Sequence, residues 1–123
     1  GPQLGRQRGP IGSGQGVLNP NNIASLTALA GVCLAVNERA AAAATISRAL
    51  ALAPDDANVH FLQGEVWREE NRFDLAAESY RRAIETDDTL HNAFYKLGLC
   101  LMELGQREAA LRLFRNAAAL DPT

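Results

Sequence analysis

The chain has 123 residues, 47% of them hydrophobic, and 12 basic against 14 acidic side chains leave a net charge of -2. That suffices for the core of one small domain and is too little positive charge for a nucleic-acid footprint. With two cysteines and no glycine period, collagen-like, coiled-coil and disulfide-scaffold classes are excluded.

Residues 1–22 hold six glycines and three prolines without a sustained apolar period, which predicts a disordered tail. Gly1 and Pro2 have the form of a tag-cleavage scar. Arg6 and Arg8 ahead of the apolar run 23–36 imitate a secretory signal, but that run carries the pattern repeated further along the chain, which favours a helix of the fold. No stretch reaches the ~18 uninterrupted apolar residues of a membrane span.

From residue 23 onward the apolar stripes predict three pairs of helices. The first pair covers 23–36 and 40–52 with a turn at Asn37, and the second 59–70 and 75–86 with a turn at Asn71. Asparagine tolerates the left-handed conformation such turns need. The third pair begins with 92–104, stops at Gly105, and resumes with the stripe Ala110, Leu113, Phe114, Ala117 and Leu120 before Pro122. Small residues recur every 34 positions: Ala30, Gly64 and Gly98; Ala42, Ala76 and Ala110; Ala49, Ala83 and Ala117. A bulky side chain recurs among them as Ile46, Tyr80 and Phe114. A period of this length signals stacked helical repeats. Gly64 and Gly98 each sacrifice about 1 kcal/mol of helix propensity. The small sets are therefore expected to oppose one another, Ala30, Gly64 and Gly98 against Ala42, Ala76 and Ala110, so that paired helices pack closely.

The third repeat, through Phe94, Leu97, Gly98, Leu101, Ala110, Phe114 and Pro122, resembles the tetratricopeptide repeat family. The second shares Gly64, Trp67, Ala76 and Tyr80 but departs at His60, Gln63 and Asp88; the first offers Leu26, Leu29, Ala30, Cys33, Ala42, Ile46 and Pro54. The resemblance covers 23–123 as repeats 23–56, 57–90 and 91–123, and residues 18–22 look like the close of yet another repeat. It implies an all-α, right-handed superhelix of three helix-turn-helix repeats, with a concave groove lined by the first helix of each and open to a peptide or partner helix.

Carried over by helical spacing, that groove would present Ala24, Thr27, Gly31, Leu34 and Ala35 from the first repeat. The second would add Asn58, Phe61, Glu65, Arg68 and Glu69, and the third Asn92, Tyr95, Leu99, Met102 and Glu103, with Lys96 at the edge. Phe61 and Tyr95 are expected to form anchoring pockets, Met102 an adaptable apolar surface, and the two asparagines holds for an extended backbone. One branch of the family grips a terminal carboxylate with lysine and asparagines. Here the corresponding positions are Thr27, Gly31 and Leu62, and only Lys96 beside Asn92 keeps a positive charge, so that clamp is missing. Three groove glutamates favour a partner with apolar anchors and one or two basic residues.

The expected function is a non-catalytic protein–protein interaction module serving as an assembly scaffold; the alternative is a dedicated secretion chaperone. A remote alternative is an enzyme using Glu65 and Glu69, one helical turn apart, as paired carboxylates. No metal or cofactor is expected, since His60 and His91 stand almost a repeat apart without a Cys or His at ligand spacing. Asp55, Asp56, Asp87 and Asp88 read as helix caps. Cys33 and Cys100 read as packing thiols, which leaves the compartment, cytoplasm or periplasm, open. Alanine-rich, arginine-over-lysine composition hints at a bacterial source. The first predicted helix is apolar almost all round, and Leu111 and Leu113 lie near the other end of the array. Ile23, Leu26, Leu34, Leu111 and Leu113 are thus expected to be covered, by adjoining repeats, by a second copy, or by the tail, whose Arg6 and Arg8 could reach the acidic groove.

Overall fold

A computed structural model describes residues 22–120, so the expectations for the tail, its disorder and the reach of Arg6 and Arg8, lie outside the described residues. Six α-helices follow one another: α1 (Ile23–Ala35), α2 (Arg39–Leu52), α3 (Ala57–Glu69), α4 (Phe73–Thr86), α5 (His91–Glu103) and α6 (Arg107–Leu120). The odd-numbered helices begin at 23, 57 and 91 and the even-numbered at 39, 73 and 107, so the 34-residue sequence period is also the structural one. Helices pack as hairpins α1–α2, α3–α4 and α5–α6, and each hairpin leans on the next through α2–α3 and α4–α5, giving an all-α right-handed superhelix.

The same turn closes the first helix of every pair. Asn37, Asn71 and Gly105 take φ of 64°, 60° and 82°, the residue types that tolerate the left-handed region. The following amide then donates back to the last helical turn, Glu38 to the Cys33 carbonyl at 2.7 Å, Arg72 to Trp67 at 2.9 Å and Gln106 to Leu101 at 2.7 Å. Helix starts are less uniform. Asn22 Oδ1 accepts from the Ser25 amide at 3.2 Å and Asp56 Oδ1 from Val59 at 3.1 Å. In the third repeat the cap position is Leu90, without a side-chain bond. Asp87, expected to cap that helix, instead accepts from the Thr89 amide and hydroxyl at 3.1 and 2.6 Å inside the preceding turn. Those bonds hold its carboxyl below its ordinary pKa.

Two apolar clusters form the core. The first joins Leu26, Ala30 and Cys33 to Ala42, Ile46 and Ala49, with Val59 and Val66 of α3. The second joins Ala76, Ala77 and Tyr80 to Leu97, Cys100, Leu101 and Ala110, flanked by Phe61 and Trp67 of the same α3. Leu26, expected on a self-association surface, is a core residue of the first cluster, because position 26 points from α1 into its own hairpin. Ile23, Leu34 and Leu113 are half-buried against the clusters, and of the residues expected to need cover Leu111 is the exposed one.

The tight contact of the second and third hairpins is glycine against a ring, a correction to the expected small-on-small packing. A Cβ on Gly64 would lie 2.7 Å from the Tyr80 ring, and one on Gly98 would lie 2.8 Å from Phe114. At the same register the first repeat pairs Ala30 with the smaller Ile46. Glycine stands where an aromatic ring crosses, and alanine where it does not.

Candidate interaction groove

The first helix of each hairpin carries the expected groove residues, and the structure brings those of α3 and α5 together in three zones along the helices. Near the helix starts, Asn58, Phe61 and Asn92 line a cleft of about 300 Å³ with Leu90 and His91. Near the helix ends, Arg68, Glu69, Leu99, Met102 and Glu103 line a larger one of about 570 Å³, whose floor includes Phe73 and Phe114. Between them Glu65 on α3 meets Lys96 on α5, Oε2 to Nζ at 3.3 Å.

Glu65 is a hub of four side chains from three helices. Tyr80 of α4 donates its hydroxyl to Glu65 Oε1, and Arg68 places its Nε 3.6 Å from the same oxygen. That Nε is buried without a hydrogen-bond acceptor, so its link to Glu65 is ionic rather than hydrogen-bonded. Burial first, and then the bond to Glu65, push the Tyr80 hydroxyl well above its usual pKa, so it stays a donor. Burial works against the Arg68 charge, but Tyr80 and Glu65 outweigh it and raise its pKa.

This polar cluster occurs once in the repeat series. Where the second repeat has Glu65 and Tyr80, the third has Leu99 and Phe114, losing carboxylate and hydroxyl together; the first has Gly31 and Ile46. The ring pair around it recurs: Phe61 stacks on Tyr80 at 5.5 Å between centroids and Tyr95 on Phe114 at 5.4 Å, both tilted. Phe61 is half-buried by this contact, whereas Tyr95 remains half-exposed.

Sequence spacing placed Glu65, Glu69 and Glu103 on one acidic face. In the fold Glu65 is already occupied by two cations, leaving Glu69 and Glu103 as the exposed carboxylates of the larger cleft. The same occupation argues against Glu65 and Glu69 as a catalytic pair, since a proton-accepting carboxylate must be free to change charge. His60 sits at the rim with Nε2 2.6 Å from the Pro54 carbonyl. Among the described residues no group of His, Cys, Asp or Glu has metal-site geometry, and no helix is long and apolar enough to cross a membrane. Missed from sequence were Phe73 and Phe114 as cleft floor and Tyr80 as the partner of Glu65; the paired loss at Leu99 and Phe114 was the available signal for the last.

The tetratricopeptide repeat pattern matches residues 28–90 and again 91–123. Protein bimA of Emericella nidulans is 36% identical over 76 residues, 62% of this chain and 9% of that protein. Anaphase-promoting complex subunit 3 of Schizosaccharomyces pombe is 29% identical over 104 residues, 85% of this chain and 16% of that one. The chain therefore spans only a small part of the curated relatives it matches. A crystal structure of MamA superposes with a TM-score of 0.76 at 24% identity, over 86% of this chain and 62% of that one. The second TPR of Spaghetti (RPAP3), bound to the HSP90 peptide SRMEEVD, gives 0.77 at 17% identity over 82% and 94%. At such identities these structures share the fold.

Proposed function

The chain belongs to the tetratricopeptide repeat family, and from there we propose that it is a non-catalytic interaction module that holds an extended peptide or partner helix along α3 and α5, as part of an assembly scaffold. The observation that carries this reading is the larger cleft, where Leu99 and Met102 offer apolar surface over Phe73 and Phe114 beside the exposed carboxylates Glu69 and Glu103. An apolar side chain next to a lysine or arginine fits that combination. Asn58 and Asn92, one repeat apart beside the smaller cleft, can hold main-chain amides of the same segment. A peptide bound to the related RPAP3 domain supports the mode of binding. Its acidic sequence, SRMEEVD, is the wrong charge for Glu69 and Glu103, so the preferred partner here differs in chemistry.

The test is a peptide array in which each segment carries a leucine or phenylalanine flanked by lysine or by glutamate. Basic-flanked segments bind the intact chain, and Met102→Ala with Glu103→Lys weakens them roughly tenfold, the size of a modest hot spot. Both sites are exposed, so the fold is kept. Absence of binding to any segment overturns the proposal.

A further inference from the structure

α4 and α6 both pack on α5 rather than on each other, which leaves a further cleft of about 420 Å³ between them. Its floor is Leu97 and Leu101, on the side of α5 turned away from Leu99 and Glu103. Ala109 and Leu113 of α6 add an apolar wall, and Arg81 of α4 stands across from Arg112 and Arg115 of α6. Among the described residues no acidic side chain lines this space, and none of the three arginines, all exposed, is ion-paired. The same trough one repeat earlier is built differently. Ser47 and Glu78 hold the registers of Arg81 and Arg112, and Gln63 and Trp67 those of Leu97 and Leu101. There Glu78 also neutralises Arg82, at 3.7 Å. A leucine floor and uncompensated positive charge thus coincide at the second junction between hairpins and not at the first. Stacking of a hairpin does not close these positions: Glu78 and Arg81, the register mates of Arg112 and Arg115, stay exposed although α5 lies against α4.

We propose that this cleft holds an acidic segment of a partner protein, with a leucine-sized side chain on Leu97, Leu101 and Leu113 and its carboxylates on the arginines. Guanidinium groups take carboxylates in two-point hydrogen bonds, and an apolar anchor with charge at its rim supplies affinity and orientation together. Free phosphate has no use for the leucine floor, and the cleft offers no aromatic ring on which a nucleic-acid base could stack. It shares no lining residue with the cleft of Leu99 and Met102. A basic partner there and an acidic partner here can therefore be held at once, and either reading can fail without the other.

Fluorescence anisotropy with a labelled peptide of leucines set among glutamates tests this. The intact chain should bind it, and exchanging the glutamates for glutamine or the leucines for alanine should each weaken binding about tenfold. Arg81→Ser and Arg112→Glu install what the preceding repeat holds at those registers. Each should cost about tenfold in affinity with unchanged helical circular dichroism. Arg107→Glu makes the same charge change as Arg112→Glu on the same helix but outside the cleft. It should leave binding within about twofold, since an exposed charge at a distance is screened. Equal losses in the two α6 variants, or a glutamine or alanine peptide bound as tightly as the original, would each overturn the proposal. So would no binding at all, or tighter binding of inorganic phosphate or of a single-stranded oligonucleotide than of the peptide.

Discussion

A methyl group added to Gly64 would collide with three atoms of the Tyr80 ring, while one added to Gly31 would meet nothing within 4 Å. Both glycines lie inside helices, where alanine is favoured by about 1 kcal/mol, so the surroundings decide the sign. Tyr80 is fully buried with its hydroxyl held by Glu65 and has nowhere to move. Gly64→Ala should thus lose about 1–3 kcal/mol to overpacking, more than the propensity gain, and lower the melting temperature by several degrees. Gly31→Ala should raise it by a few. Equal effects of the two substitutions in a thermal melt would contradict the glycine-on-ring packing. The positions of the small residues were legible in the 34-residue period, but not what they face. Periodicity reports which side of a helix is inward, whereas the ring that crosses Gly64 comes from a side chain 16 residues away.

Among elements, the Glu65 cluster is a polar tie, joining α3 to α4 within one hairpin through Tyr80 and to α5 of the next through Lys96. Glu65→Leu copies Leu99 of the next repeat yet strands the Tyr80 hydroxyl in the core, which should cost about 1–3 kcal/mol. Adding Tyr80→Phe copies the Leu99 and Phe114 pair and removes the stranded group. Denaturant unfolding of the two single variants and the double should then show a coupling of roughly 1–2 kcal/mol; additivity would mean that the hydroxyl and the carboxylate do not depend on one another. The turns were readable in advance because Asn37, Asn71 and Gly105 are residue types chosen by positive φ. Helix starts were read late at Arg39, Phe73 and His91, which Glu38, Arg72 and Leu90 precede without a capping side chain, and also at Ala57, although Asp56 caps that helix. That Asn58, Phe61, Arg68 and Glu69 share one face of α3, and Asn92, Leu99, Met102 and Glu103 one face of α5, was recoverable from spacings of three and four, and these residues line the two clefts. The neutralisation of Glu65 was not, because Lys96 and Tyr80 reach it from 31 and 15 positions away.

Across the whole molecule the two core clusters differ in substance. The first is built largely of alanine and short aliphatic side chains, and the second around Tyr80 with Phe61, Trp67, Phe73 and Phe114 packed on it. Aromatic rings bury the larger area and so contribute more to stability. Amide hydrogen exchange should consequently be slowest in α4 and α5 and faster in α1 and α2, the first hairpin opening below the global unfolding free energy. Uniform protection along the chain would instead mark one cooperative unit. α3 belongs to both regions, with Val59 and Val66 turned to one cluster and Phe61 and Trp67 to the other. Each cluster also encloses one unpaired sulfur, Cys33 in the first and Cys100 in the second. Burial pushes the Cys100 thiol up to about 11, so almost none of it is reactive thiolate at neutral pH until its surroundings part. Alkylating reagents therefore find two built-in chemical clocks, one per half, and modification at a single sulfur would trap a molecule breathing at one end while the other stays shut.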